Sequence, residues 1–152
     1  MNLRVRAAVV DDLPSVIALE RSVAEAPHWT TPDYAEIVTG SGVRRCLFVA
    51  ETADELAGFA VGKAVAGIGE LESVAVRPGS RRAGVGKALC MAVVAWCRKQ
   101  GASAVELEVR AASVGAMALY ESLGFERVGV RRRYYREPED DAVLMRLRMS
   151  GS

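Results

Sequence analysis

A glycine-bearing segment that joins an apolar strand pattern to a long amphipathic helix pattern restricts the fold of this chain more than any other feature. Leu71–Val76 reads as a strand, and Val85–Gln100 repeats apolar residues at three- and four-residue steps, as one face of a helix does. Between them, Arg81–Gly86 has the spacing Arg-x-x-Gly-x-Gly. Backbone N–H groups at a helix start can bind a phosphate or pyrophosphate, because the helix dipole is positive there. The alternative is a tight turn that needs glycine for its backbone geometry.

Two common phosphate-binding motifs do not match this spacing. A P-loop requires a glycine at the position of Arg81 and a hydroxyl residue at the position of Ala88. The dinucleotide-binding fingerprint requires a small residue where Leu89 stands. If the segment binds an anion, it therefore does so through a different type of loop.

Composition predicts one cytoplasmic globular domain. The chain has 152 residues with 51% apolar and 26% charged residues, and its net charge of +1 gives no reason to expect nucleic acid or a membrane as a partner. The N-terminus does not resemble a signal peptide, and no apolar run is long enough to span a membrane. Three cysteines suggest a reducing compartment, and a single histidine without clustered ligands predicts no metal site.

The order of helix and strand patterns predicts a mixed α/β fold with one sheet covered by helices. The predicted strands are Leu3–Val10, Cys46–Glu51, Leu56–Val65, Leu71–Val76, Ala104–Val109, Phe125–Tyr134 and Ala142–Arg148. The predicted helices run from Asp11 or Asp12 to about Ala24, and over Pro32–Thr39, Val85–Gln100 and Ser113–Leu123.

A polar face on a central strand marks the first candidate catalytic residue. Along Ala104–Arg110, apolar residues alternate with Glu106, Glu108 and Arg110, so the three polar side chains share one face. One interpretation is an ion pair between Glu108 and Arg110 at the strand end. The other makes Glu108 a general base that lines a cleft on this face.

The helix pattern after this strand carries a second candidate. Ser113 is placed to cap the helix, and Tyr120 follows two turns later on about the same face. Tyr120 fits either a half-buried core aromatic residue or a phenol that protonates a leaving group. Position alone leaves both interpretations open.

Several strings in the second half of the chain occur together in one known group of enzymes. They are Val74-Ala75-Val76, Arg81-x-x-Gly84-x-Gly86, Leu107-Glu108-Val109-Arg110-Ala111, Ala118-Leu119-Tyr120-Glu121-Ser122-Leu123-Gly124-Phe125, Arg132-Arg133-x-Tyr135 and Asp141-Ala142. In these strings the chain resembles the bacterial ribosomal-protein-alanine N-acetyltransferases, a branch of the GNAT superfamily. The glycine loop is common to the superfamily, whereas the two long strings around Glu108 and Tyr120 are much more specific to the branch.

This resemblance implies a GNAT-like acyl-CoA N-acyltransferase fold, with a mostly antiparallel sheet that splays at the cofactor site and is flanked by helices. It implies a single domain over residues 1–149 with a short tail at 150–152, and a monomer or weak dimer. Acetyl-CoA is the implied cosubstrate, held by Val74, Ala75, Val76, Arg81, Arg82, Ala83, Gly84, Val85, Gly86, Lys87 and Ser113. At the position of Ser113 the family usually has an asparagine, so this contact departs from the pattern.

The implied reaction is direct attack of an amine on the thioester, with Glu108 as general base and Tyr120 as general acid. The implied acceptor is the α-amine of a ribosomal protein that starts with alanine, contacted by His28, Trp29, Tyr134 and Tyr135. For His28 and Trp29 a packed loop anchor is the alternative. A lysine or small-amine acetyltransferase, and more remotely a non-catalytic acyl-CoA-binding module, are the alternative functions.

Overall fold

Seven strands and four α-helices make up the described part of the chain. The computed structural model describes residues 3–22, 31–40, 44–53, 55–80, 84–136 and 138–149. The strands are β1 Leu3–Ala7, β2 Arg45–Thr52, β3 Glu55–Val65, β4 Ile68–Val76, β5 Ala104–Arg110, β6 Glu126–Arg136 and β7 Glu139–Arg148. The helices are α1 Leu13–Ser22, α2 Thr31–Thr39, α3 Val85–Lys99 and α4 Val114–Ser122.

The strands form one mixed sheet in the order β1-β2-β3-β4-β5-β7-β6. All neighbours are antiparallel except β4 and β5, which run parallel and are connected through α3. The predicted fold class, a mostly antiparallel sheet flanked by helices, is confirmed. The first strand is shorter than predicted, because the chain leaves β1 after Ala7 and enters a 3-10 turn at Val10–Asp12 before α1.

Each face of the sheet carries its own apolar core. On one face α3 packs on β3, β4 and β5 through residues that include Val85, Leu89 and Val93. On the other face α1 and α2 cover β2 and β3. The buried carboxylate of Glu20 accepts a hydrogen bond from Tyr34, which links α1 to α2. In the described part of the chain, no helix is both long and apolar enough to cross a bilayer.

The three cysteines, Cys46, Cys90 and Cys97, are free thiols and are buried. Burial raises the pKa of Cys46 and Cys90 to about 12 and that of Cys97 to about 11. A thiol with so high a pKa stays protonated at neutral pH and is a poor nucleophile. These side chains therefore act as small core residues.

The two central strands separate soon after they meet. Parallel pairing joins Ile68–Glu70 of β4 to Ala104–Glu106 of β5, and no pairing is recorded beyond it in the described residues. The pairing of β3 with β4 shifts between Val61 and Gly62, so that Glu72 is an extra residue in β4. A bulge of this kind bends and twists its strand. It lies where the strands begin to separate, and the separation leaves a gap at the centre of the sheet.

Close approach of α3 to β3 depends on Gly58. A Cβ atom at this position would lie 2.7 Å from the backbone oxygen of Ala75 and 3.1 Å from Leu89 Cδ1. We expect Gly58→Ala to destabilise the protein by about 1–3 kcal/mol, because backbone and helix must shift to admit the methyl group. Thermal denaturation measures the loss. The matched control is Gly79→Ala, since a Cβ there meets no atom within 4 Å; equal melting temperatures for the two variants would contradict the prediction.

Candidate active site

A cleft of about 870 Å³ opens where β4 and β5 separate. Its walls come from the end of β4, the start of α3, the end of β5 and the inner face of α4, with Tyr135 of β6 at the margin. The lining residues are Leu71–Val76, Gly84–Lys87, Leu107–Arg110, Ser113, Gly115, Ala116, Ala118–Tyr120 and Tyr135. The sequence-predicted residues of β4, β5 and α4 are thus brought together in one space.

The start of α3 lies at one end of this cleft. Gly84 has a φ of 78°, a left-handed conformation that favours glycine, and α3 begins at the next residue. A Cβ on Gly86 would lie 3.2 Å from Leu119 Cδ2 and 3.7 Å from Val76 Cγ2, so a larger residue would narrow the passage between β4 and α4. Arg81, Arg82 and Ala83 lie outside the described residues.

The edge of β4 offers backbone groups to the cleft. The cleft is lined by Val74, Ala75 and Val76. Among the described residues, the edge of β4 that faces β5 is unpaired beyond Glu70. An unpaired strand edge exposes N–H and C=O groups in a row, which an extended ligand can bind as a further strand does. The predicted cofactor-binding segment therefore has the geometry that such binding needs.

Glu108, on β5, lines the wall of the cleft opposite β4. Its side chain is 26% exposed, and Arg131 Nη2 lies 3.9 Å from its Oε1. The sequence left open an ion pair between Glu108 and Arg110. The guanidinium of Arg110 lies 4.2 Å from the ring centre of Tyr135. It also donates a hydrogen bond to the carbonyl of Pro138 at 2.9 Å. The carboxylate of Glu108 is thus accessible from the cleft and near one exposed cation.

Tyr120 lies on α4 and faces the same cleft. Its ring packs edge-on against Phe125 at 6.0 Å, and its hydroxyl makes no hydrogen bond to any residue that the structure describes. Burial raises the pKa of the phenol above its ordinary value of about 10, and nearby Cys90 and Tyr135 add to the shift. The phenol therefore stays protonated at neutral pH, and its hydroxyl has no hydrogen-bond partner among the described residues.

The other predicted site residues differ in whether they line the cleft. Ser113 is the N-cap of α4 and lines the cleft, but its side chain makes no capping hydrogen bond. Tyr135 lines the cleft, whereas Tyr134 is 48% exposed and packs edge-on against Tyr135. Proximity of Glu108 adds to the effect of burial in raising the pKa of Tyr135. His28 and Trp29 lie outside the described residues.

Two polar residues of the β4 wall of the cleft were missed by the sequence reasoning. Glu72 forms an ion pair with Arg45 at 2.7 Å, and Ser73 is buried in the wall beside it. Strict alternation along Leu71–Val76 does not predict both at the cleft, because the bulge at Glu72 changes which residues share a face. A polar pair inside an apolar strand was the available signal.

The arrangement is suited to a reaction in which one reacting group loses a proton and another gains one. A carboxylate on β5 can accept a proton, and a phenol on α4 can donate one, on two walls of the same cleft. No group of His, Cys, Asp and Glu able to hold a metal ion occurs within the described ranges. With Glu108 on one wall and Tyr120 on another, the cleft offers acid–base chemistry from protein side chains.

Comparison with known proteins gives consistent results. Residues 13–125 match the model of the acetyltransferase (GNAT) family. The chain is 34% identical over 141 residues to the [ribosomal protein bS18]-alanine N-acetyltransferase of Escherichia coli K12, covering 91% of this chain and 93% of that enzyme.

Two solved structures share the fold of this chain. The crystal structure of the ribosomal-protein-S18-alanine N-acetyltransferase from Escherichia coli superposes with a TM-score of 0.84 and 31% identity, over 99% of this chain and 96% of that one. The fold is also that of Arabidopsis thaliana NAA60 in complex with a bisubstrate analogue, with a TM-score of 0.85 and 20% identity over 99% and 100% of the chains.

Proposed function

Because the chain belongs to the acetyltransferase (GNAT) family and is an N-acetyltransferase, we propose that it transfers acetyl from acetyl-CoA to the α-amine of a protein that starts with alanine. A ribosomal protein is the proposed acceptor class, in the cytoplasm. One observation carries the proposal most strongly: Glu108 and Tyr120 face one cleft between separated strands, at the start of α3.

The cleft fits acetyl-CoA in three respects. Its volume of about 870 Å³ is within the range of cofactor pockets. The start of α3 has backbone N–H groups and the exposed Lys87 beside them, which favour a pyrophosphate. The unpaired edge of Val74–Val76 can bind the amide groups of a pantetheine arm as a neighbouring strand would.

The proposed reaction balances its protons through two side chains. Glu108 takes a proton from the acceptor ammonium group, directly or through a water molecule. The neutral nitrogen then bonds to the thioester carbonyl carbon, and the carbon–sulfur bond breaks. The departing sulfur takes a proton from Tyr120, which regains one from the new amide nitrogen, while Glu108 later releases its proton to solvent.

The choice of an α-amine rests on its acidity and on one relative. An α-ammonium group has a pKa of about 7.7–8.0 against about 10.4 for lysine, so a single carboxylate deprotonates it more easily near neutral pH. The Escherichia coli enzyme that shares 34% identity with this chain is named for an alanine of ribosomal protein bS18. The acidity supports an α-amine as the acceptor group, and the name of the relative supports alanine as the acceptor residue.

Mass spectrometry on a single reaction mixture tests this function. The mixture contains the protein, acetyl-CoA and a peptide with an N-terminal alanine and one internal lysine. We expect one acetyl group, located on the α-amine by fragmentation. A matched peptide with a blocked N-terminus is the control and should stay unmodified.

The other outcomes identify the alternatives. Acetylation of the internal lysine in either peptide would replace the proposal with a lysine acetyltransferase. Binding of acetyl-CoA without modification of the peptide would direct the search to small amines. If a panel of these also remained unmodified, the finding would contradict catalysis altogether and favour an acyl-CoA-binding module.

A further inference from the structure

The last two strands are joined through a large bulge beside the cleft. Three consecutive residues of β6, Arg132–Tyr134, lie opposite a single residue of β7, Asp141. The ladder resumes at Tyr135, which pairs with Asp140. A bulge re-aims the side chains of its strand, and bulges are frequent next to active sites. In a regular ladder Arg133 would lie opposite Asp140, so the two extra residues are what brings Tyr135 to this position.

The position given to Tyr135 is at the margin of the cleft. Tyr135 is partly buried and lines the cleft, and the guanidinium of Arg110 lies 4.2 Å from its ring centre. Burial raises the pKa of Tyr135, and the carboxylate of Glu108 adds to the shift. Tyr135 in turn adds to the raised pKa of Tyr120, after the effects of burial and of Cys90. The bulge therefore puts this phenol within electrostatic reach of both the proposed base and the proposed acid.

The bulge requires an unfavourable backbone conformation at Arg133. Its φ is 53°, in the left-handed region that residues other than glycine avoid, because their Cβ approaches a backbone carbonyl oxygen. The side chain of Arg133 is 83% exposed, and its Nε lies 3.7 Å from Oε1 of Glu139. An ion pair so exposed contributes little stability. The conformation of Arg133 therefore depends on a contact made by its backbone.

Asp141 provides that contact. Its Oδ1 accepts a hydrogen bond from the backbone N–H of Arg133 at 2.9 Å. The N–H of Asp141 donates to Oδ1 of Asp140 at 2.8 Å, and Oδ2 of Asp140 accepts from the N–H of Ala112 at 3.0 Å. The carbonyl of Asp141 accepts from the N–H of Ala111 at 2.9 Å. The start of β7 thus ties the bulge to the turn that leads from β5 into α4.

We propose that Asp141 is a positioning residue of the acceptor site: it holds Arg133 in the left-handed conformation and thereby keeps Tyr135 against the first residues of the bound acceptor. This inference rests on the proposed function and on Tyr135 as an acceptor contact. It gives a common role to two strings that lie apart in the sequence, Arg132-Arg133-x-Tyr135 and Asp141-Ala142, because one hydrogen bond joins them.

The first test is Asp141→Ala with steady-state kinetics on the alanine-starting peptide. We expect the KM of the peptide to rise about tenfold, because small displacements of a positioning group are costly. The Kd of acetyl-CoA should stay within about twofold, since the β4 and α3 walls of the cleft are formed by other residues. Asp141→Asn should restore KM to within about twofold of wild type, because its amide oxygen can accept the same hydrogen bond. The matched control is Glu139→Ala, which removes a carboxylate near the side chain of Arg133 and should leave KM unchanged.

A double-mutant cycle tests whether Asp141 acts through Tyr135. Tyr135→Ala alone should raise KM about tenfold or more, and adding Asp141→Ala should raise it by no more than about a further twofold. Two independent contributions would instead multiply.

Glycine at position 133 tests the backbone part of the argument. Glycine adopts a positive φ without a hydrogen bond to hold it there. Arg133→Gly alone should therefore keep KM within about twofold of wild type. Added to Asp141→Ala, it should recover at least about threefold of the lost affinity, which also tests the inference if Asp141→Ala by itself folds poorly.

The possible failures are distinguishable. Unchanged KM in Asp141→Ala, with an active wild type, would overturn this inference and leave the proposed function intact. So would an equal defect in Asp141→Asn, a multiplicative effect with Tyr135→Ala, or a parallel loss of acetyl-CoA affinity, which indicates a general structural defect. A wild-type protein that acetylates no α-amine would instead refute the proposed function on which the inference rests.

Discussion

Replacing Glu108, the proposed general base, with glutamine is expected to lower kcat at pH 7 by about 10²–10⁴-fold, the usual contribution of such a base. Glutamine has nearly the same shape as glutamate but cannot accept the proton. At pH 7 most α-amine is protonated, because its pKa is about 7.7–8.0, so the variant has little neutral nucleophile and no base to make more. Steady-state kinetics with saturating acetyl-CoA measures the loss.

The pH dependence of Glu108→Gln tests the role itself. As pH rises from 7 to 9.5, solvent deprotonates the amine, so the defect should shrink by about six- to tenfold. Glu106→Gln is the control, because Glu106 shares the strand and face of Glu108 but does not line the cleft. Full activity with a flat pH response would remove Glu108 as the base.

The sequence could predict the fold because local patterns and tertiary demands agree along most of the chain. The apolar spacing over Val85–Gln100 predicts a helix, and the structure has it over Val85–Lys99. What local patterns could not predict is the insertion of β7 between β5 and β6. The choice of neighbour in a sheet depends on contacts between distant residues, which one sequence does not display.

As with the fold, local sequence patterns predict one part of the candidate site and miss another. Alternation along β5 predicts that Glu108 faces away from the core that contains Val105, Leu107 and Val109, and the structure agrees. Ser73 was missed because a single bulge residue reverses the alternation in β4. Bulges leave no reliable local signature, so the cleft wall on β4 could not be assigned residue by residue.

Tyr120→Phe should reduce kcat by about 10²–10³-fold while leaving the affinity for acetyl-CoA within about twofold, since the change removes only the hydroxyl that we propose as the proton donor. The pKa of the phenol is raised above its ordinary value by burial, so it stays protonated well beyond pH 10. Donation to a thiolate with an ordinary pKa of about 8.5 is then uphill in water. It becomes feasible because a cleft lined largely by apolar residues also destabilises the departing thiolate.

Stability measurements distinguish this role from a structural one. The Tyr120 hydroxyl has no partner in the described residues, and its ring contact with Phe125 survives the substitution, so the melting temperature should fall by no more than about one degree. Tyr34→Phe is the contrasting variant: it removes the hydroxyl that donates to buried Glu20 and should lower the melting temperature by several degrees. Wild-type turnover by Tyr120→Phe would refute the assignment. A large fall in its melting temperature, matched by loss of acetyl-CoA binding, would instead make Tyr120 a packing residue, because a proton donor can be removed without disturbing the walls of the cleft.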